Sequence, residues 1–278
     1  MTAKTPTRYR TALVTGASSG MGKEIARRLL ADGLTVYVAA RRVAQMADLA
    51  EAGATVLEMD ITSEAQVAAA AEAITRACGG VDVLVNNAGF GKFGPVEETP
   101  IDDARRQFEV NLFGLARLTQ LLLPAMRAKG AGLIVNISSM GGRIHTPLGA
   151  WYHATKHALE GWSDCLRLEL EPHGIDVVVV QPGLIDTGFL GAVESHFSGD
   201  DAGPYGGLIG PARRASAKAY ADGRASPPSV VAGVVSRAVR ARRPRTRYVV
   251  GAMARPSLAA RWLLGDRAFD RLVKGQLR

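Results

Sequence analysis

Short apolar segments alternate with helical segments along the first 180 residues, and this alternation limits the fold more than any other feature. Each apolar segment is nearly continuous, which is typical of strands buried on both faces of a parallel sheet. Strands are predicted at 11–15, 34–40, 54–58, 83–85, 133–137 and 175–180, and helices at about 20–32, 64–77, 101–109, 112–128 and 151–170. Right-handed crossovers between such strands give a doubly wound α/β sheet with helices on both faces.

The chain after residue 184 is predicted to complete the same domain. No linker precedes that residue, so residues 8–190 form the predicted Rossmann-type core of a single domain of 278 residues. Residues 188–229 are rich in Gly, Pro, Ser and Ala without a clear period, which predicts an irregular lid or binding loop. A helix at 229–241, a last strand at 247–250 and a helical basic tail at 255–276 follow.

Composition and cysteine usage are those of a globular protein from a reducing compartment. Hydrophobic residues make up 47% and charged residues 22% of the chain. The first apolar stretch, 12–14, ends in a Gly/Ser turn instead of a cleavage site, and no run nears the roughly 18 apolar residues of a membrane helix. The two cysteines, Cys78 and Cys165, imply no disulfide framework, so a cytoplasmic location is expected.

The histidines do not predict a metal site. His153 and His157 lie four residues apart, but no third ligand accompanies them, so no metal is expected. We interpret His145, His153 and His157 as residues of loops or helix surfaces.

Charge is distributed unevenly along the chain. Residues 1–204 hold 18 basic and 23 acidic side chains, whereas residues 205–278 hold 16 and 3. Six arginines fall within 237–247 without interleaved aromatic residues or a nucleic-acid motif, so a basic helix end is favoured and no nucleic acid is expected as a partner. The amphipathic tail around 261–273 could touch a membrane surface, but packing on a neighbouring subunit is favoured.

A glycine-rich loop follows the first strand directly and opens the first helix. Its glycines permit a tight turn and a close approach of the backbone to a pyrophosphate, and the helix N-terminus supplies unpaired N–H groups. Such turns also join strands to helices without any ligand, and the spacing here is GxxxGxG and not the common GxGxxG. The predicted phosphate contacts are Gly16, Ser18, Ser19, Gly20, Met21 and Gly22.

This loop is the first of six motifs that together resemble the classical short-chain dehydrogenase/reductase family. The others, in order, are Asn86–Gly89, Asn111, Ser138–Ser139, the Tyr152–Lys156 segment and Pro182–Gly183. The resemblance covers residues 11–190 and extends more weakly to 251; it implies a seven-stranded parallel sheet, a nicotinamide cofactor and a homodimer or homotetramer. It further implies cofactor contacts at Asp60, Asn87, Ala88, Gly89, Tyr152, Lys156, Pro182, Gly183, Ile185 and Thr187.

The end of the second strand predicts which nicotinamide cofactor is used. An acidic residue there would bind the adenosine ribose and repel a phosphate, but Ala40 is followed by Arg41 and Arg42. Guanidinium groups pair with phosphate through charge-assisted bonds. The 2′-phosphate that distinguishes NADP(H) from NAD(H) is therefore their expected partner, and NADP(H) is predicted over NAD(H). Arg41 also resembles the family's phosphate contact. Alternatively, the arginines begin a solvated helix, and Asp60 caps the following turn instead of contacting adenine.

Tyr152 and Lys156 are four residues apart on a predicted helix, so their side chains share a face. A tyrosine with a pKa of about 10 is a poor acid or base near neutrality, but an ammonium and an oxidised nicotinamide favour the phenolate. The resemblance assigns Ser139 to holding the substrate oxygen and Asn111 to a proton relay. Alternatively, Tyr152 and Lys156 form a surface pair, the serines form a strand-end turn and Asn111 is a helix N-cap.

The predicted function is NADP(H)-dependent oxidoreduction of a small-molecule alcohol or carbonyl, with Tyr152 as general acid/base. A moderately apolar substrate is indicated by the lid residues Phe189, Leu190, Phe197, Tyr205, Leu208 and Ile209. Three alternatives remain: a nucleotide-sensing protein without catalysis, a peripheral membrane or nucleic-acid protein that uses the basic tail, and an epimerase or dehydratase.

Overall fold

A computed structural model describes residues 8–187, 198–221 and 223–275 of the chain. Seven strands form one parallel sheet in the order β3-β2-β1-β4-β5-β6-β7. The strands are β1 Thr11–Thr15, β2 Thr35–Ala40, β3 Thr55–Glu58, β4 Val83–Asn86, β5 Gly132–Ile137, β6 Ile175–Pro182 and β7 Arg247–Val250. The predicted doubly wound sheet and its seventh strand are confirmed. The order reverses direction between β1 and β4, and such a switch point opens a crevice at the carboxyl ends of the strands.

Ten α-helices flank the sheet in the described residues. They are α1 Gly20–Ala31, α2 Ala47–Glu51, α3 Glu64–Cys78, α4 Ile101–Phe108, α5 Gly114–Lys129, α6 Ala150–Leu170, α7 Gly206–Ala221, α8 Ser229–Arg240, α9 Ala254–Leu263 and α10 Asp266–Gly275. Local chemistry sets both ends of α3: Ser63 accepts a hydrogen bond from Gln66 N at its start, and Gly79 adopts φ 71° at its end.

Side chains of the strands alternate between two buried layers. Leu13 of β1 faces a layer built with α3, α5 and α6, while Val14 faces one built with α1 and α8. Both layers exclude water, which explains why the strand segments are continuously apolar. The core therefore covers both faces of the sheet and leaves the strand ends for function.

The structure differs from the sequence-based expectations in the lid, around residue 111 and in the tail, and α2 was not predicted. The segment 188–229, predicted to be an irregular lid, contains a 16-residue helix, α7. The sequence did not predict this helix because Gly206, Gly207, Gly210 and Pro211 are unfavourable in helices. Its predicted apolar residues Phe189, Leu190 and Phe197 lie outside the described residues. The predicted helices at 101–109 and 112–128 are joined without a break by a π-helical turn, Glu109–Phe113, and the tail forms two helices separated at Leu264 and Gly265.

No helix in the described ranges is long and apolar enough to cross a membrane. Those residues also hold no cluster of three side chains that could ligate a metal ion.

Candidate active site

Three glycines let the turn between β1 and α1 pack closely against neighbouring backbone and side chains. Gly16 and Gly20 adopt φ angles of +65° and +54°. A Cβ atom on Gly22 would lie 2.4 Å from the Gly16 carbonyl oxygen, so this turn admits only glycine there. Ser19 precedes α1 with extended backbone, and its side chain makes no capping hydrogen bond. The first N–H groups of α1 therefore face the crevice without a side-chain cap.

Thr15 and Asn87 join this loop to the end of β4. The Thr15 hydroxyl accepts hydrogen bonds from the backbone N–H groups of Asn87 and Ala88, each at 3.1 Å. The Asn87 amide donates to the carbonyl oxygens of Thr15 at 2.9 Å and Gly16 at 3.3 Å. The side-chain oxygen of Asn87 is buried and, within the described residues, has no hydrogen-bond partner.

Arg41, Arg42 and Asp60 border the loop at the ends of β2 and β3. The Arg41 side chain is 64% exposed, with Nη1 3.9 Å from Asp60 Oδ2. Arg42 Nη2 donates to Ser18 Oγ at 3.4 Å, which places a second guanidinium beside the glycine loop. Asp60 Oδ1 accepts hydrogen bonds from Thr62 N and Oγ1, so the turn-capping alternative for Asp60 is observed. Burial by itself would raise the pKa of Asp60. The hydrogen bonds from Thr62 and the nearby charge of Arg41 outweigh this effect and lower the pKa below its ordinary value.

Tyr152 and Ser139 meet at the carboxyl end of β5. Tyr152 lies in the first turn of α6 and is hydrogen-bonded to the Ser139 side chain. Burial raises the pKa of Tyr152, and the bond to Ser139 opposes this rise. Ser139 Oγ also accepts from Gly141 N at 3.0 Å, while the neighbouring Ser138 hydroxyl is buried without a partner in the described structure. Of the two serines, Ser139 is thus the one that contacts Tyr152.

Lys156 lies one turn after Tyr152 and is only 7% exposed, so the surface-pair alternative is wrong. Its Nζ donates to the Ile137 carbonyl oxygen at 2.9 Å. Burial lowers the pKa of Lys156 to about 8, against the opposing effect of Glu160. The side chain is thus a buried ammonium that can lose its proton near neutrality.

Asn111 lies inside the π-helical turn, so it is not a helix N-cap. Its amide donates to the Phe90 carbonyl oxygen at 2.9 Å and to Thr155 Oγ1 at 3.0 Å, and its oxygen accepts from Phe90 N at 3.0 Å. A Cβ atom on Gly89 would lie 3.2 Å from Asn111 Oδ1 and 3.8 Å from Lys156 Nζ. Asn111, Gly89 and Lys156 are therefore immediate neighbours at this end of the sheet. Single π-turns are frequent at functional sites.

The segment after β6 closes the crevice from the opposite side. A Cβ atom on Gly183 would lie 2.0 Å from the Ala252 carbonyl oxygen, and Ile185 is buried below it. Thr187 sits against the glycine loop, 3.0 Å from the position of a Gly20 Cβ. A cavity of about 380 Å³ lies between them. Its lining residues are Ser18, Ser19, Gly20, Lys23, Glu24, Arg27, Asp186, Thr187 and Pro228.

Sequence reasoning missed the role of His153, which is buried and not on the helix surface. Its Nε2 accepts from Thr146 N at 3.1 Å, so Nδ1 donates to the Gly141 carbonyl oxygen at 2.9 Å. His153 therefore fastens both ends of the loop that follows Ser139. Burial lowers its pKa to about 4, which keeps the ring neutral. The sequence did not reveal that His153 is buried, because the spacing of residues along a helix does not show which loop packs over them.

Four observations fit a bound nicotinamide dinucleotide. The crevice has a glycine cradle, an uncapped helix N-terminus, an orphaned buried amide oxygen on Asn87 and two guanidinium groups beside the loop. The first two suit a pyrophosphate and the guanidinium groups suit a further phosphate. A hydroxyl, a buried ammonium and a buried amide stand beyond this cradle, at Tyr152, Lys156 and Asn111.

Fold and site together define a dinucleotide-dependent oxidoreductase. A family model described as short chain dehydrogenase matches residues 10–197, and the chain belongs to this family. It is therefore a nicotinamide-dependent dehydrogenase/reductase that acts on carbonyl or alcohol groups.

Individual relatives agree with this membership over most of the chain. An NADPH-dependent 3-dehydrocapnine reductase from Ornithobacterium rhinotracheale is 36% identical, with 97% of this chain and 98% of that protein aligned. A 3-ketodihydrosphingosine reductase from Bacteroides thetaiotaomicron is 40% identical over 64% of each chain. The crystal structure of a short-chain dehydrogenase from Streptomyces avermitilis gives a TM-score of 0.81 at 34% identity and 96% coverage of both chains.

Proposed function

We propose that the protein is an NADP(H)-dependent oxidoreductase that interconverts a secondary alcohol and a carbonyl, with Tyr152 as general acid/base. The observation that carries this proposal is the grouping of the Tyr152 hydroxyl, its hydrogen-bond partner Ser139 and the buried Lys156 at one end of the sheet. Burial raises the pKa of Tyr152, so in this proposal the Lys156 ammonium and an oxidised nicotinamide offset that rise and favour the phenolate.

In this mechanism, Tyr152 donates its hydroxyl proton to the substrate oxygen during reduction and takes it back during oxidation. The nicotinamide, when bound, supplies or accepts the hydride. The Ser139 hydroxyl holds the substrate oxygen in line with Tyr152, because the two side chains are already hydrogen-bonded. The Lys156 ammonium favours the phenolate. Asn111, which is fixed by Phe90 and Thr155, orients the path by which the proton is restored from solvent.

NADP(H) is proposed over NAD(H) because Arg41 and Arg42 flank the glycine loop and no carboxylate ends β2. Arg41 keeps an exposed guanidinium at 3.9 Å from Asp60, and Arg42 reaches Ser18. A phosphate placed between them would gain charge-assisted hydrogen bonds from both. The relative from Ornithobacterium rhinotracheale is described as NADPH-dependent, which supports this choice.

The proposed substrate is a moderately apolar ketone or alcohol. The centre of the Phe93 ring lies 5.3 Å from that of the Tyr152 ring. Burial raises the pKa of Tyr220 in α7 to about 12, and the nearby Tyr152 and Asp186 add to this rise. Helix α7 therefore borders the cleft. Two relatives are described as reductases of 3-dehydrocapnine and 3-ketodihydrosphingosine, which are both carbonyl compounds.

We further propose that the chain works as one domain, in the cytoplasm, and as a homodimer or homotetramer. Ile101 and Phe113 are 51% and 53% exposed in the α4–α5 region, where they offer apolar surface to a second copy.

A turnover screen tests the proposal. Ketones of increasing chain length are offered with NADPH or NADH, and the matching alcohols with NADP⁺ or NAD⁺. We expect turnover with NADPH and a carbonyl, with kcat/KM rising with apolar chain length. Binding of NADPH without turnover of any member would instead identify a nucleotide-sensing protein.

A further inference from the structure

The C-terminal hairpin, α9 and α10, presents an unusual amount of apolar surface to solvent. Trp262 is 84% and Leu263 69% exposed, the two highest values among large apolar side chains in the described part of the chain. Leu272 of α10 is 43% exposed. The proposed mechanism uses none of these side chains.

The hairpin has an inner face that is already occupied. Phe269 and Val273 are buried against Ile144, and Leu258 and Leu264 pack on the same small cluster. Trp262 and Leu263 therefore lie on the outer side of the hairpin, away from the protein body.

The charge beside these apolar side chains is positive. Residues 253–275 hold five basic and two acidic side chains. Both carboxylates have partners: Asp266 accepts from Arg261 at 2.8 Å, and Asp270 lies 2.9 Å from His145 Nε2. A depression of about 470 Å³ on α10 is lined by Arg267, Asp270, Arg271 and Lys274. This hairpin thus combines exposed aromatic and aliphatic groups with excess cationic charge.

We propose that the hairpin docks the enzyme on an anionic membrane surface. Trp262 and Leu263 would enter the boundary between headgroups and acyl chains, while Arg267, Arg271 and Lys274 pair with lipid phosphates. A second copy fits this face less well, because a two-fold interface through the hairpin would bury two cationic clusters, while the only carboxylates of each hairpin, Asp266 and Asp270, already have partners. The hairpin also packs on Met140, next to Ser139, so a docked hairpin would hold the proposed active site close to the membrane, where apolar substrates partition.

Vesicle sedimentation tests the proposal with the full-length protein. Vesicles contain phosphatidylcholine alone or with roughly 30% phosphatidylglycerol, since an anionic surface attracts basic residues. We expect binding to the mixed vesicles, little binding to phosphatidylcholine, and release at about 0.5 M salt. Arg271→Gln with Lys274→Gln should weaken binding about thirtyfold, and Trp262→Ser with Leu263→Ser about tenfold or more.

Matched variants lie elsewhere on the surface. Arg76→Gln with Arg105→Gln removes two exposed cations, and Leu168→Ser removes a 64% exposed apolar side chain. These variants should bind vesicles as the wild type does, and all variants should keep the wild-type melting temperature. The proposal is overturned if the wild type does not bind anionic vesicles, or if hairpin and matched variants bind alike. Dissociation of an oligomer by the Trp262 and Leu263 variant would identify the face as a subunit interface and overturn the proposal. Duplex DNA that binds the wild type at the same salt and displaces it from vesicles would identify a nucleic-acid surface and overturn it as well.

Discussion

At the scale of single residues, the proposed chemistry depends most on the Tyr152 hydroxyl. Tyr152→Phe removes the hydroxyl and keeps the ring that packs on Phe93. General acid–base groups contribute about 10²–10⁴-fold to rate, so kcat should fall by at least about a hundredfold. NADPH affinity, measured by fluorescence titration, should change little. Retention of more than about a tenth of kcat, a loss below roughly 1.4 kcal/mol of barrier, would contradict the assignment.

The pKa of Lys156 predicts how activity depends on pH. Burial lowers this pKa to about 8, so the side chain is an ammonium below pH 8 and an amine above it. Because the mechanism requires the ammonium, kcat/KM for carbonyl reduction should fall as pH rises through about 8. Lys156→Arg keeps the charge and should move this fall to higher pH.

Lys156→Ala gives the complementary measurement. Without the ammonium, the apparent pKa of the catalytic base in alcohol oxidation should rise, and the KM for the cofactor should increase. A pH–rate profile and a cofactor KM that both match the wild type would exclude these two roles of Lys156.

Cofactor choice is predicted to depend on the last residues of β2. A guanidinium–phosphate contact contributes on the order of 1.5–3 kcal/mol, which corresponds to a roughly ten- to hundredfold preference for NADP over NAD. Salt should reduce this preference, since Arg41 is 64% exposed. Ala40→Asp with Arg41→Ala should reverse it, because the new carboxylate repels phosphate and accepts ribose hydroxyls. Unchanged NADP preference in kcat/KM would show that the strand end does not recognise the phosphate.

At the scale of elements, the loop 139–146 depends on a neutral histidine. Folded His153 has a pKa of about 4, while an unfolded histidine titrates near 6.5. Between these values the unfolded chain binds the additional proton, so the free energy of unfolding falls as pH falls through this window. The loss is up to about 3 kcal/mol at 1.36 kcal/mol per pKa unit.

His153→Gln should remove this pH dependence, as measured by urea unfolding between pH 7 and 4. The exposed His173→Gln, which lies in a turn after α6, is the matched control and should keep the wild-type dependence. The His153 variant should also lose kcat while cofactor affinity is maintained, since the loop carries Ser139. Equal pH dependence in the His153 variant and the wild type would contradict the buried, neutral state.

Elements with a strong period were predictable from the sequence, and elements set by tertiary packing were not. The β1 bounds agree with the predicted segment, because this strand is buried and apolar over residues 12–14. The β7 bounds also agree, although all four of its residues are only half-buried. Helix α7 was missed because Gly207, Gly210 and Pro211 disfavour a helix locally. Contacts stabilise it: Tyr205 donates to Glu97 at 2.6 Å, and Ile209 is fully buried.

Within the site, sequence motifs predicted which side chains would carry the chemistry, and these lie together at one end of the sheet, but the motifs did not predict the groups that hold them. Asn111 occupies a π-helical turn that no hydrophobic period encodes, and its partners Phe90 and Thr155 come from distant segments. His153 was assigned to a loop or helix surface because its partners, Gly141 and Thr146, belong to a separate loop. Such partners depend on how separate elements meet, and spacing along one element carries no information about this.

At the scale of the whole molecule, elements from both ends of the chain converge on the crevice. The first strand and α1 carry the glycine loop, whereas Thr187 and Pro228 close the cavity against it. Arg247 of β7 donates to Glu160 at 3.0 Å and to Asp164 at 2.5 Å on α6, which joins the C-terminal strand to the helix of Tyr152. Part of the arginine-rich segment 237–247 is thereby used inside the fold.

This convergence predicts that cofactor binding stabilises the entire chain. A ligand at about 100 times its dissociation constant adds about 2.7 kcal/mol to the free energy of unfolding. At 2–4 °C per kcal/mol, NADP⁺ should raise the melting temperature by roughly 5–10 °C in a single transition. NAD⁺ at the same concentration should raise it less. Arg41→Ala should reduce the shift with NADP⁺ and leave the shift with NAD⁺ unchanged, since NAD⁺ lacks the 2′-phosphate that Arg41 is proposed to bind. Calorimetry that resolves two transitions, only one of which moves with NADP⁺, would show that the two ends of the chain unfold independently.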